Sequence, residues 1–263
     1  MLQPFLKNRS LKKFFIAIIS FSLGFFSCKK EDTVVPIRDV AEQAIEDNQN
    51  IEDFLAAHFY NYDDFLDLDS NPELTFDSLI GENASKTPLK DQVLKKVIRV
   101  KKSDSTFVNH TLYYLIAREG EGIHPTSVDS TYLAYEGRLL DGAVFDFSRT
   151  PVWFDLTQVV RGFREGMPGL KGGTFEVAEN NTVTFRNYGQ GAIFIPSGLG
   201  YFNTSTGSIP SYSPLIFKIN LYLVKQTDHD GDGILTADEF DQDGDGIADD
   251  TDGDGIYDYL DKN

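Results

Sequence analysis

The chain has 263 residues, 41% hydrophobic and 25% charged, with a formal net charge of −17. That length accommodates one or two domains with true cores, and so acidic a balance excludes a nucleic-acid partner, whose phosphates would be repelled. The charge is uneven: fourteen Asp and Glu face one Lys between Asp228 and Asn263, so 13 of the 17 net negative charges sit there and the rest is near neutral.

At the N-terminus Lys7, Arg9, Lys12 and Lys13 precede an apolar run, FFIAIISFSLGFF (14–26), followed by Ser27 and Cys28, the only cysteine. The run is short for a membrane span and has the length of a signal-peptide core. A single cysteine excludes an intramolecular disulfide. The sequence FFSC resembles a bacterial lipoprotein cleavage box, with Ser27 before the lipid-accepting Cys28. The resemblance implies a signal peptide over 1–27 and a lipid anchor in the cell envelope, at the outer membrane on its periplasmic side or at the cell surface. Several acyl chains would make that anchor firm, since one alone binds marginally. Lys29-Lys30-Glu31-Asp32 resembles the Lys-then-acidic signal of surface lipoproteins.

Residues 29–40 read as linker. Over 36–61 the apolar residues Ile45, Ile51, Phe54, Leu55 and Phe59 recur at helical spacing and predict one or two helices. Their stripe suits either docking onto the rest of the chain or a dimer or chaperone surface. Residues 63–88 are acidic, broken by Asn71-Pro72 and Gly81, and predict mostly irregular structure. We take 28–89 as a lipidated linker and helical segment.

From 90 onward the pattern is that of strands: QVLKKVIRVKK, STFVNHTLYYLIAREG and STYLAYEGRLL, with GEGIHP (120–125) as a turn. A short helix is predicted in QVVRGFREGM, N-capped by Thr157, with Val159, Val160 and Phe163 on one face. GGTFEVAENNTVTFRNYGQG (172–191) reads as a hairpin. In PLIFKINLYLVK (214–225) the residues Leu215, Phe217, Ile219, Leu221 and Leu223 alternate with period two. The fold class is α+β, with an antiparallel sheet.

Within this region DGAVFDFS (141–148) places Asp146 between Phe145 and Phe147. Alternation alone would bury both Phe side chains and leave Asp146 in water. Four segments decide otherwise. YEGRLLDGAVFDFS (135–148), FDLTQVVRGFREGM (154–167), GQGAIFIPSGLGY (189–201) and IPSYSPLIFKINL (209–221), in this order, resemble the FKBP family of peptidyl-prolyl cis–trans isomerases. The resemblance spans a domain over 90–226. It implies a bent antiparallel sheet wrapped around one short helix, proline-containing polypeptide clients, and no cofactor for catalysis. The pocket it implies is lined by Tyr135, Phe145, Asp146, Val159, Val160, Phe163, Tyr201, Ile209 and Phe217. Phe163 would be the floor, Phe145 and Phe217 the walls, and the Tyr201 hydroxyl and Ile209 N–H the holders of the substrate backbone. Asp146 would orient polar groups beside Tyr135, with a bulge turning both Phe145 and Asp146 toward the pocket.

Four departures from the family stand out. Phe163 replaces the usual Trp, Phe202 follows Tyr201 where Gly is common, Val152 stands where many members have an aromatic, and the 172–189 stretch is longer than a turn. The readings are therefore an isomerase or, in its place, a surface binding module with weak turnover. The oligomeric state stays open.

The acidic end (227–263) holds three loops: DHDGDGILTADE (228–239), DQDGDGIADDTD (241–252) and DTDGDGIYDYLD (250–261). Asp at positions one, three and five, Gly at six and an acid at twelve is the oxygen-ligand spacing of EF-hand-type calcium loops. The candidate ligands are Asp228, Asp230, Asp232, Glu239 and the Ile234 carbonyl in the first loop. Asp241, Asp243, Asp245, Asp249, Asp250 and Asp252 serve the second, and Asp250, Asp252, Asp254, Asp258 and Asp261 the third. The overlapping repeats resemble thrombospondin type 3 repeats, which implies Ca²⁺ and a structural role.

Overall fold

The computed structural model describes residues 37–67 and 70–262. The signal segment, Cys28 and the tether after it lie outside the described residues. Among those described, no helix is long and apolar enough to cross a membrane.

Helix α1 (Val40–Ala57) starts at Asp39, whose carboxylate accepts from the Ala41 and Glu42 amides at 2.8 and 3.1 Å, giving two otherwise orphaned donors a partner. Its buried strip is Gln43, Ala44, Asp47, Ile51 and Leu55, the side-by-side spacing of successive turns. The expected stripe was only partly right: Ile45 is 74% exposed. Two buried polar residues, Gln43 and Asp47, set the helix rotation in its place. The helix ends before Phe59, which lies in β1 (His58–Tyr60) and pairs with β2 (Phe76–Ser78). Apart from that pairing, the described residues within 62–91 form 3₁₀ turns and irregular chain.

The main sheet contains β3 (Leu94–Lys101), β4 (Phe107–Arg118), β5 (Ser130–Leu139), β6 (Val144–Asp155), β9 (Gly189–Ile195) and β10 (Leu215–Lys225). Its order is β3-β4-β9-β10-β5-β6, antiparallel throughout. Between β6 and β9 come helix α2 (Arg161–Gly166) and a separate hairpin of β7 (Thr174–Val177) and β8 (Val183–Arg186). Thr157 does not cap α2. It sits in a 3₁₀ turn held by Asp155, which accepts from the Thr157 amide at 2.9 Å, and Val160 precedes the helix. The α+β class and antiparallel sheet are as expected.

Alternation sorts the strands onto two faces. Leu112, Leu133, Ile193, Leu215, Phe217 and Ile219 join Phe163 and Met167 on one face. Tyr113, Leu115, Ala192, Phe194 and Ile216 join Ile51, Leu55, Phe65 and Leu74 on the other. The single-faced alternation expected of β10 therefore misses half its burial. Even Lys218 is only 7% exposed, paired to Glu136 at 2.8 Å and donating to the Leu74 carbonyl at 3.0 Å, because the N-terminal segment covers that face.

The acidic end carries helix α3 (Thr236–Glu239) and little apolar surface: Phe240 and Tyr259 pack with Val128. It lies against the sheet domain through polar contacts. Arg161 donates to the Asp245 carbonyl at 3.1 Å and Arg164 to the Gly246 carbonyl at 2.5 Å, with the Arg164 guanidinium 4.8 Å from the Phe240 ring centre. Gly246 has φ +80°, and a Cβ there would strike Arg161, so both turn and contact require glycine.

Candidate functional site

The site is assembled from four elements. Strand β10 supplies Phe217, β6 with β5 supplies Phe145, Asp146 and Tyr135, and α2 supplies Phe163. The Phe163 and Phe217 rings meet edge-on at 5.0 Å, and Phe145 meets Phe217 edge-on at 5.5 Å, the arrangement the aromatic quadrupole favours. Phe163 is 1% exposed at the base, while Phe217 and Ile209 are buried and Tyr201 is 38% exposed at the rim. Val159 and Val160 pack against the same cluster from the approach to α2.

A bulge explains DGAVFDFS. Gly137 pairs with Asp146 and Arg138 with Val144, so Phe145 is left unopposed and the register shifts. Phe145 then lies across Gly137, where a Cβ would come within 2.5 Å of its ring. Phe147 turns away and is 57% exposed. The alternation reading, both Phe side chains in the core, does not hold. Asp146 is exposed and accepts a hydrogen bond from the Tyr135 hydroxyl at 2.6 Å. Burial, then the hydrogen bond to Asp146 and its charge, push the Tyr135 phenol well above its ordinary range, so Tyr135 stays a proton donor to that carboxylate at neutral pH.

Two details differ from the roles the resemblance implies. The Ile209 N–H already donates to the Thr206 carbonyl at 2.9 Å within a tight turn, so it does not point a free donor at a substrate. A sixth aromatic, Phe154, joins the cluster, 5.8 Å from Phe163 and 5.1 Å from Tyr135. Its place three residues after Pro151 in an edge strand hid it, because the register jumps from Leu133–Val152 to Tyr135–Ser148. Val152 pairs with Leu133 and is partly buried. A second cavity of about 220 Å³ borders Tyr135 and is otherwise bounded by Pro72, Leu74, Glu136, Phe147 and Lys218.

In the acidic end, the carboxylates of Asp228/Asp230/Asp232, Asp241/Asp243/Asp245 and Asp250/Asp252/Asp254 each converge within 4.8 Å. Each loop repeats one pattern of backbone bonds: Asp232, Asp245 and Asp254 accept from Ile234, Ile247 and Ile256 amides at 2.7, 3.0 and 2.8 Å. Asp249 and Asp258 face neighbouring backbone, accepting from the Gln242 and Thr251 amides at 2.5 and 2.7 Å. One oxygen each of Asp230, Glu239 and Asp241 is buried with no hydrogen-bond partner among the described residues. Burial, then Asp232, Asp230 and Asp228, push the Glu239 carboxyl up. Shielded, unpartnered carboxylate oxygens among like charges suit a cation bound there.

Residues 122–222 match the family model described as FKBP-type peptidyl-prolyl cis-trans isomerase. A probable FKBP-type isomerase, FkpA, of Neisseria meningitidis is 38% identical over 114 residues, which are 42% of this chain and 36% of that protein. The isomerase Mip of Coxiella burnetii is 33% identical over 44% of this chain and 45% of that protein. The crystal structure of FkpA from Escherichia coli is 28% identical with a TM-score of 0.36, covering 48% of this chain and 51% of that one. The chain thus spans less than half the length of the curated relatives quoted, and the match leaves α1 and the acidic end outside it.

Proposed function

We propose, from the FKBP-type match over 122–222, that this chain is a peptidyl-prolyl cis–trans isomerase acting on proline-containing polypeptides in the bacterial envelope. The observation that carries the reading is the aromatic cleft, Phe163 beneath Phe217 and Phe145, with the Tyr135–Asp146 pair at its edge. An Xaa-Pro bond is held planar by resonance behind a barrier of roughly 18–20 kcal/mol. Twisting it removes conjugation and leaves a less polar carbonyl, so a dry aromatic wall favours the twisted state over the hydrated planar one. Phe163 and Phe217 would receive the proline ring, and Tyr201 and the Asp146–Tyr135 pair would orient the flanking backbone.

The test is isomerisation of a panel of Xaa-Pro peptides by the full chain in detergent. Asp146→Ala with Phe217→Ala should lower kcat/KM at least roughly a hundredfold, about 3 kcal/mol of transition-state stabilisation. A double variant as active as the parent would rule out this cleft. The second reading, a binding module without turnover, is favoured by the engaged Ile209 amide and by Phe163, smaller than the family's Trp. Peptide binding with no rate above background would select it.

For the rest of the chain we propose lipid attachment at Cys28, with the outer membrane as the site. The acidic loops would hold Ca²⁺ through Asp228, Asp230, Asp232 and Glu239, through Asp241, Asp243 and Asp245, and through Asp250, Asp252 and Asp254. When bound, the ion supplies the positive charge these loops lack. Mass spectrometry of the envelope-extracted chain should find acyl groups on Cys28, and an unmodified Cys28 would exclude the anchor.

A further inference from the structure

Helix α1 lies outside the family match and reaches the loop that carries Tyr201. Its Asp47 is fully buried and accepts both the Ser197 amide and the Ser197 hydroxyl, each at 2.7 Å, and the Gln43 side-chain amide at 2.8 Å. Ser197 opens the turn that leads to Tyr201. Its own carbonyl accepts from the amides of Gly200 and Phe202, both at 2.9 Å, the two residues flanking Tyr201. Phe202 is left-handed, with φ +45°, a conformation that a bulky residue keeps only when its surroundings impose it.

A second contact closes the circuit. Gln43 also accepts from the Arg38 guanidinium at 2.7 Å, and that guanidinium lies 4.6 Å from the ring centre of Tyr212. The Arg38 amide donates to the Tyr212 hydroxyl at 3.1 Å, and the Tyr212 amide donates to the Phe202 carbonyl at 2.6 Å. The loop from 197 to 212, carrying both Tyr201 and Ile209, is thus held at its start by Asp47 of α1 and at its end by Arg38, just before that helix.

We infer that Asp47 is a positioning residue for the isomerase cleft, fixing through Ser197 the place of Tyr201. The inference rests on the isomerase reading for its kinetic effect, though not for its geometry. A buried acceptor from another element defines the turn more sharply than the turn's own backbone could, since a charged acceptor makes the stronger hydrogen bonds. Asp47→Asn keeps one carbonyl oxygen for the two Ser197 donors; Asp47→Ala keeps none.

The test uses the full chain in detergent, a chromogenic Ala-Leu-Pro-Phe peptide, and amide hydrogen exchange read at Gly200 and Phe202. Asp47→Ala should lower kcat/KM roughly ten- to a hundredfold, the range expected when a substrate-holding group shifts by about an ångström. Exchange at the two amides should accelerate in step. Asp47→Asn should recover most of both. Leu55→Ala, at the far end of the same helix and buried in the same face, serves as a control of comparable destabilisation and should leave both readouts near the parent. If Leu55→Ala matches the losses of Asp47→Ala, or Asp47→Ala leaves the two amides protected, the inference fails. A parent chain without turnover would overturn the isomerase reading, and exchange would still decide the role of Asp47. Should Asp47→Ala not fold, Ser197→Ala removes the hydroxyl donor alone, and faster exchange at Gly200 and Phe202 remains the required result.

Discussion

The sheet domain and the acidic end are built on opposite physics. In the first, Leu133, Leu215, Ile193, Leu55 and Phe194 are wholly buried on two faces of one sheet. In the second, the apolar residue that follows each Asp-Gly-Asp-Gly run is about half exposed: Ile234 at 48%, Ile247 at 52% and Ile256 at 47%. Burial of apolar area orders the first. The second is held by carboxylate-to-amide bonds among like charges that repel one another. The two meet at Arg161 and Arg164, which place positive charge against the second loop's carbonyls.

The contrast breaks if a core variant and metal removal act alike. The largest effect should come from Leu133→Ala, which leaves a cavity in the core cluster that Leu133 shares with Leu156, Phe163 and its strand partner Leu221. It should lower stability by about 2–5 kcal/mol in denaturant titration, by the same amount with calcium or with chelator. A calcium-dependent loss would mean that the two regions share one core.

Acid should sharpen the contrast next. His110 is 1% exposed in β4, neither ring nitrogen has a hydrogen-bond partner among the described residues, and burial, then the Arg161 charge, lower its pKa to about 4. The unfolded chain binds that proton near pH 6.5, the folded chain only near 4. Stability contributed by neutral His110 is therefore complete above pH 6.5, falls as pH drops through that window, and levels off below 4. The loss is on the order of 3 kcal/mol. His110→Leu should flatten the pH dependence of the unfolding midpoint; an unchanged slope would assign acid sensitivity elsewhere.

Metal removal should have the smallest effect on the whole and the largest on the end. With millimolar calcium and weak sites, chelation should cost roughly 0.4–1.4 kcal/mol per loop, felt within the acidic end alone. Protease should then cut within 228–262 while the sheet domain survives. Arg164→Ala should give part of that sensitivity even with calcium present, because the contacts to Gly246 and Phe240 are lost. Equal cleavage of the end with and without calcium would remove the metal from the account.

What could be read ahead of the fold was what repeats locally. The strand runs from 94 to 225, the 172–189 hairpin and the three Asp-rich loops each carry their signal in spacing of two, in turn residues or in a short motif, and these patterns do not need distant partners. The aromatic residues of the cleft were legible through motif order. Phe154 opens one of those motifs yet was not assigned to the cleft, because a register shift in an edge strand changes which face a residue meets.

The sequence by itself determined an α+β chain with a near-neutral, Phe-rich body and a densely acidic end, since composition and period are local properties. Only the tertiary structure decided that α1 lies on the second face of the sheet, with Ile45 outside and Asp47 inside, and that Ser197 receives it. It also decided that the Ile209 amide is already engaged, and that Arg161 and Arg164 meet the second acidic loop. Each of these joins residues far apart in the chain, and a contact bought by burial or hydrogen bonding across such a distance leaves no period in the sequence to read.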